Sequence, residues 1–311
     1  MAKLNKKTGD KIMNLGDLHA TITKPERRLD LNYFGTWENK INWCIDLAIS
    51  LNIMIILIPG DLFNSSKANH KVVQNVTRVL KRFKGTIYVI YGQHDMVHHS
   101  SNISNTPLKV LHEAGIVTIV SNTQSICLQE CVCLYGAGWN EKIPEIINKD
   151  GFNILVTHRM IITDKLWEAQ EGYSSASSLL RMNDFDLIVS GDNHQSFHVE
   201  KNNKTLINCG ALMRSTIKEI DHKPCCWVYD LGYKKAKQYL IPVLPIGEVF
   251  DLEEIEEEKE KNEELNAFVL GLEKDTEIQG LNYSENVYEL AKNAKVKKPV
   301  IELIEESLIG E

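Results

Sequence analysis

Short apolar runs alternate along this chain with longer stretches in which apolar positions return every three or four residues. The runs "KIMNLGD" (11–17), "IMIILIPGD" (53–61) and "TIYVIYG" (86–92) are short and nearly continuously apolar, which predicts buried strands. Between them, "WENKINWCIDLAISLN" (37–52) and "HKVVQNVTRVLKRF" (70–83) have helical spacing. "PLKVLHEAG" (107–115) predicts a helix stopped by glycine, followed by a strand at "IVTIV" (116–120). Alternation in "SICLQECVCLYGAG" (125–138) and the runs "FNILVTH" (152–158) and "FDLIVSGD" (185–192) predict more strands, with a short helix over "YSSASSLLRMN" (173–183). "FHVE", "TLINCG", "CCWVYDLG" and "KQYLIPV", all between 196 and 243, predict a sheet edge or hairpins. Strands interleaved with helices predict a layered α/β sandwich, and no internal repeat is present.

After Pro245 the pattern changes to "DLEEIEEEKEKNEELNAFVLGLEK", with Leu265, Phe268, Val269 and Leu272 on one helical face. This divides the chain into a body, 1–245, and an acidic helical tail, 246–311, whose narrow apolar stripe suits a docking element or a solvated helix. Charge sharpens the division. The net charge is −7, but residues 251–311 hold 18 acidic residues against 7 lysines, which leaves the first 250 at +4. A polyanionic substrate therefore stays open to the body. No apolar run nears the roughly 20 residues of a membrane span, and the polar start lacks a secretory core, so a cytoplasmic protein without membrane association is expected. The seven cysteines form no C-x-x-C pair and are expected to be reduced and mostly buried.

Five predicted strands end in groups able to bind metal. They are "GDLH" with Asp17 and His19, "GDLF" with Asp61, "GQHD" with Gln93, His94 and Asp95, "TH" with His158, and "GDNH" with Asp192 and His194. A single Gly-Asp after a strand is more often a turn. Five such ends in one open α/β sheet arrangement converge on the crevice beyond the strand carboxyl ends. Their oxygen and imidazole donors, with no thiolate, suit manganese, iron or magnesium more than a sulfur-bound zinc. Two divalent ions about 3.5–4 Å apart need a carboxylate shared between them, a part Asp61 fits, and such a pair activates water against a phosphoryl group. His94 beside Asp95 adds a proton-transfer element in which the carboxylate would orient the ring.

In this order the segments resemble the calcineurin-like metallophosphoesterase family, over about residues 11–230. The resemblance implies a metallophosphoesterase-type layered β-sandwich flanked by helices, here with a C-terminal helical tail. It implies one metal held by Asp17, His19, Asp61 and His194 and a second held by Asp61, Gln93, His158 and Asp192, with His94 a non-ligand acid and Asp95 its partner. Gln93 stands where the family has Asn, and Asp192 where it has His. "GDLF", "GQHD" and "LINCGALMR" (206–214) are more similar to SbcD-type DNA repair nucleases, including phage recombination nuclease subunits, than to protein phosphatases, which continue the second motif into Asp-Arg-Gly.

That subtype implies a manganese- or magnesium-dependent DNA exonuclease or endonuclease in a bacterial or phage-infected cell, a homodimer working with an SbcC-type ATPase. Two other functions are compatible with the residues: a phosphodiesterase on small nucleotides or RNA, and a weakly catalytic metal-binding assembly subunit, which Gln93 and Asp192 suggest. The basic stretch Arg78, Lys81, Arg82 and Lys84 reads first as a solvated helix face and second as a phosphate contact.

Overall fold

A computed structural model describes residues 10–97, 103–163 and 172–253, together with 256 and 261. In chain order the elements are β1 (Lys11–Asn14), α1 (Tyr33–Ser50), β2 (Ile55–Ile58), α2 (His70–Leu80), β3 (Thr86–Val89), α3 (Pro107–Glu113) and β4 (Thr118–Ile119). β5 (Ile126–Gln129), β6 (Val132–Ala137), β7 (Phe152–His158), β8 (Ile161–Ile162), β9 (Ser174–Ser175), α4 (Ala176–Met182) and β10 (Leu187–Gly191) follow. β11 (Phe197–Lys201), β12 (Lys204–Asn208), β13 (Cys225–Asp230), β14 (Lys235–Leu240) and α5 (Ile246–Val249) complete the series. The chain divides into two compact units, 1–245 and 246–311; α5 belongs to the second. The helices and apolar stripe expected beyond residue 261 lie outside the described residues.

The first unit is a mixed α/β sandwich of two six-stranded sheets, ordered β14-β13-β1-β2-β3-β4 and β11-β12-β10-β7-β6-β5. Period-two alternation sorts side chains between layers. Ile12, Leu57, Ile154, Val156, Leu187 and Val189 meet between the sheets. Met13, Ile56 and Ile58 face the opposite way, against α1, α2 and α3, while Leu155 and Ile188 face α4. Buried on both faces, these central strands have the continuous apolar character that predicts them.

Local caps set the helix starts. Asn32 accepts from the Gly35 N–H, Asn69 from that of Val72, and Thr106 from that of Lys109 ahead of a helix with Pro107 in its first turn. α1 thus begins four residues before the expected Trp37, because Tyr33 and Phe34 are buried and the cap lies just ahead of them. Residues 173–183 divide differently from expectation: Ser174–Ser175 pair with β8, and the helix begins only at Ala176.

What places the site is strand direction. β1, β2 and β3 are parallel to one another, as are β6, β7, β10 and β12, so their carboxyl ends share an edge in each sheet. β13 returns from the second sheet to pair antiparallel with β1, and carries β14 with it. The Cys209–Arg214 loop that precedes it is pulled over the ends of β1 and β12, with Asp17 bridged to Ala211. Five of the seven cysteines are buried and all are unpaired. Among the described residues, no helix is long and apolar enough to cross a membrane.

Candidate metal centre

Each expected ligand sits where a parallel strand stops. Asp17 and His19 follow β1, Asp61 follows β2, and Gln93 and His94 open a short turn of 3-10 helix after β3. His158 ends β7, and Asp192 and His194 follow β10. His19, Asp61 and Asp192 adopt left-handed φ of 44°, 48° and 76°, a region costly for any side chain but glycine's. Three such residues together indicate backbone bent to aim side chains at one point. The space is as tight as the backbone is bent: a Cβ at Gly92 would fall 2.1 Å from Asp61 Oδ1. Gly60, at φ 102°, leaves room for the His158 ring.

The two central carboxylates are held alike. Asp61 Oδ1 accepts from the His94 N–H at 2.9 Å, and Asp17 Oδ2 from the Asp192 N–H at 3.0 Å. Their other oxygens, Asp61 Oδ2 and Asp17 Oδ1, are buried without hydrogen-bond partners, as are His19 Nδ1, Gln93 Oε1 and His158 Nε2. Five buried polar atoms without partners in one cluster would be very costly unless something else satisfied them. Nitrogen and carboxylate oxygen also converge: His158 Nε2 lies 3.4 Å and His19 Nε2 3.8 Å from Asp61 Oδ2, and His194 Nε2 lies 3.2 Å from His19 Nε2. His158 Nδ1 donates to the Pro59 carbonyl at 2.6 Å, leaving Nε2 as the ligand nitrogen. This donor set fits divalent cations.

Ionisation tells the same story. Burial raises Asp17 to about 7, with Asp61 and Asp192 adding to the rise against His158 and His194. Burial works against a charged His158, but Asp61, Asp17 and Asp192 together carry it up to about 10. Burial would raise Asp61, yet His158, His19 and His94 outweigh it and hold that carboxylate low. His19 is driven down to about 4, mainly by burial. Without a cation, burial favours a proton on Asp17, while the charged His158 offsets Asp61.

Asp17, His19 and His194 bring their ligand atoms within 4.8 Å of one another, and so do His19, Asp61 and His94. Neither group contains a cysteine. The residues assigned to a second metal lie as two pairs: His158 against Asp61, and Gln93 Nε2 donating to Asp192 Oδ1 at 3.0 Å. His94 is exposed, its Nδ1 on the Asn64 carbonyl at 3.1 Å and its ring edge-to-face with His19.

Asp95 departs from its expected place. Instead of orienting the His94 ring, its buried carboxylate accepts from the backbone N–H groups of Leu62, Phe63 and Gly92. These amides have no other partner at the turn, and the carboxylate satisfies all three. Burial, with Asp61 adding to it, raises Asp95 to about 7. The orienting carboxylate that sequence reading missed is Glu219, in close contact through Oε1 with His194 Nδ1 and accepting from Ser215 N and Thr216 N through Oε2. "TIKE" (216–219) carries the T-x-x-E capping-box signal that could have marked Glu219 as a structured side chain.

Comparison with solved structures finds several distant likenesses. An archaeal phosphodiesterase is 12% identical, covering 74% of this chain and 99% of its own, with a TM-score of 0.41. A dimetal phosphatase from Danio rerio is 9% identical, covering 74% and 95%, with a TM-score of 0.48. A hypothetical protein from Pyrococcus horikoshii is 10% identical, covering 94% and 97%, with a TM-score of 0.41. None of these is near enough to bear on substrate. Comparison with curated protein sequences finds no match. Residues 10–196, more than half of the chain and spanning every strand end that carries an expected metal ligand, match the Calcineurin-like phosphoesterase family. The chain therefore belongs to that family, a metal-dependent phosphoester hydrolase by descent and by the donors gathered at its strand ends.

Proposed function

We propose that this phosphoesterase is a DNA nuclease of the SbcD type, hydrolysing phosphodiesters for an SbcC-type ATPase in repair or recombination. One observation carries the subtype. Protein phosphatases continue the second motif into Asp-Arg-Gly, whereas here Asp61 is followed by Leu62-Phe63-Asn64-Ser65; Leu62 and Phe63 are fully buried, and Asp95 of "GQHD" holds their backbone N–H groups. "GDLF" and "GQHD" are thus one interlocked unit, without a phosphatase-type arginine beside Asp61.

In this reading Asp17, His19, Asp61 and His194 would hold one cation, and Asp61, Gln93, His158 and Asp192 would hold a second. Divalent cations, manganese first on this donor set and magnesium next, supply positive charge beside the phosphoryl oxygens and activate water at neutral pH. The chain's own groups do the rest. Buried Asp17 and Asp61 are locked by backbone N–H groups, so little reorganisation is needed as charge moves. His94, whose Nδ1 donates to the Asn64 carbonyl at 3.1 Å, would give the leaving oxygen a proton from Nε2 of its doubly protonated ring.

The test is hydrolysis of duplex DNA ends, bis(p-nitrophenyl) phosphate and p-nitrophenyl phosphate with manganese. Cleavage of DNA and the diester is expected, with a loss of about 100-fold or more in His94→Gln at unchanged metal content. Turnover of the monoester alone would overturn the nuclease reading. The Gln93–Asp192 hydrogen bond favours a second reading, a weakly catalytic assembly subunit with one occupied metal position. Two manganese ions per chain by equilibrium dialysis would exclude it. The homodimer and the tail's docking role belong to the same proposal. Removing residues 250–311 should abolish association with the ATPase.

A further inference from the structure

A cavity of about 330 Å³ opens beside the metal centre, with the expected ligands His158 and Asp192 in its wall. Arg159, the residue after His158, lines it as well, together with Asn140 and Ser174. We infer that this cavity is a second-phosphate subsite, in which Arg159 holds the phosphate next along a polynucleotide strand from the one at the metal centre. The inference rests on the phosphodiesterase reading above and names the substrate feature that the site selects.

Arg159 carries the argument. Its guanidinium offers five N–H donors in a planar fork suited to phosphate. Nη2 meets only a neutral acceptor, the Glu141 carbonyl, and Nε is buried without a partner. Among the described residues no carboxylate pairs with it: Glu141 turns its own carboxylate to the Gly138 N–H, at 2.7 Å. Asp192 is the one carboxylate of the cavity wall among the described residues, and its Oδ1 accepts from Gln93 Nε2 at 3.0 Å. Asp192 is assigned to a cation, so the charge left to the cavity is that of Arg159. A bare guanidinium beside a centre that draws phosphoryl groups attracts a second anion. Asn140 and Ser174 add an amide and a hydroxyl, neutral donors for phosphate oxygens. About 330 Å³ lies at the small end of ligand cavities, room for a phosphate and its sugar. The Cα atoms of His158 and Arg159 are about 3.8 Å apart, so what the two side chains hold must be near neighbours in one ligand.

The wall is set before a ligand arrives. The Glu141 N–H donates to the Gly138 carbonyl at 3.1 Å, and Asn140 turns the chain between them at φ 59°. Arg159 clamps this turn from the end of β7, the strand paired with β6. On the other side the Ser174 N–H donates to the Met160 carbonyl at 2.8 Å, and β9 pairs with β8. Such prior order reduces the cost of binding.

A strand with phosphates on both sides of a sugar meets both positions, whereas a simple diester such as bis(p-nitrophenyl) phosphate meets only the first. Polynucleotide is therefore the preferred substrate, held by its backbone whatever its bases.

The test is isothermal titration of full-length, manganese-loaded protein with thymidine 3′,5′-bisphosphate, whose phosphates are one sugar apart as in a strand. Thymidine 5′-monophosphate, thymidine 3′-monophosphate and thymidine 5′-diphosphate are titrated beside it. The bisphosphate should bind at least about tenfold more tightly than either monophosphate. Arg159→Gln, which can still donate to the Glu141 carbonyl but lacks the charge, should bring that ratio close to one. Arg159→Lys should recover part of it, with thermal melting showing that both variants fold. Equal affinity for bisphosphate and monophosphates, or a ratio unchanged in Arg159→Gln, would overturn the subsite. Tighter binding of the diphosphate than of the bisphosphate would overturn the strand as the source of the second phosphate. DNA cleavage by the wild type without a bisphosphate preference would sink the subsite and leave the nuclease standing. An Arg159-dependent preference in a protein that turns over only the monoester would support the subsite and remove the diester reading.

Discussion

At the scale of the residue, the most informative groups are two carboxylates that are not assigned to any metal. Glu219 fixes the His194 ring through Nδ1, leaving Nε2 beside Asp17 and His19. Partners of this kind are worth roughly 10- to 100-fold in metal affinity. Glu219→Gln is therefore expected to weaken manganese binding about tenfold while leaving the melting temperature nearly unchanged, since an amide oxygen can still accept from Ser215 and Thr216. Calorimetric titration checks this, and unaltered affinity would reduce Glu219 to a cap. Asp95 has the opposite character. It satisfies three buried backbone N–H groups, each costing about 1–3 kcal/mol when left bare, so Asp95→Ala should lower stability by about 3 kcal/mol or more. Urea unfolding measures it, and Asp95→Asn, which keeps an acceptor, should lose less. Asp95 was visible in the sequence as a group beside His94. Its true partners were not, because two of them lie 33 and 32 positions upstream and all three are backbone amides that carry no sequence signal.

At the scale of the element, α1 does more than cover a sheet. Lys40 in its second turn is buried and donates to the Leu212 carbonyl at 2.9 Å, while Arg28 donates to the Arg214 carbonyl at 2.8 Å. Together they pin the loop that crosses the strand ends. Burial pushes Lys40 from 10.5 down to about 7, Arg28 and Arg214 push the same way, and Asp30 and Cys44 oppose them. The folded state thus resists a proton that the unfolded chain accepts. Stability attributable to Lys40 should rise with pH between about 7 and 10.5 and be flat below that window. Unfolding midpoints across it should rise in the wild type, and this slope should shrink in Lys40→Met whatever that variant's absolute stability. On and just beyond α2, Arg78 is paired with Glu38 and Arg82 with Asp46 of α1, each at 2.7 Å, so these two exposed basic side chains join neighbouring elements across a solvated face. Such exposed pairs contribute little stability each.

At the scale of the whole molecule, ligands from both sheets meet only in the folded chain, so cations that bind there stabilise the fold by mass action. At about 100 times the dissociation constant the gain is about 2.7 kcal/mol, and for a unit of this size the melting temperature should rise about 5–10 °C with manganese and fall again with chelator. A melting curve indifferent to both would contradict the centre. Much of this architecture could be read along the chain. The continuous apolar strands, the helical spacing of α1 and α2, and the succession of Asp, His and Gln at strand ends follow from side-chain chemistry and its period, which neighbouring residues alone express. Other features came only with the tertiary structure. "CCWVYD" reads as one more hairpin strand, but packing sends β13 back to the first sheet beside β1. Glu219 meets His194 across 25 positions, and Gln93 meets Asp192 across 99. Local pattern determines which segments become strands and which groups stand at their ends. Which of those groups touch depends on burying both sheets against each other, and no short stretch of sequence encodes that free energy.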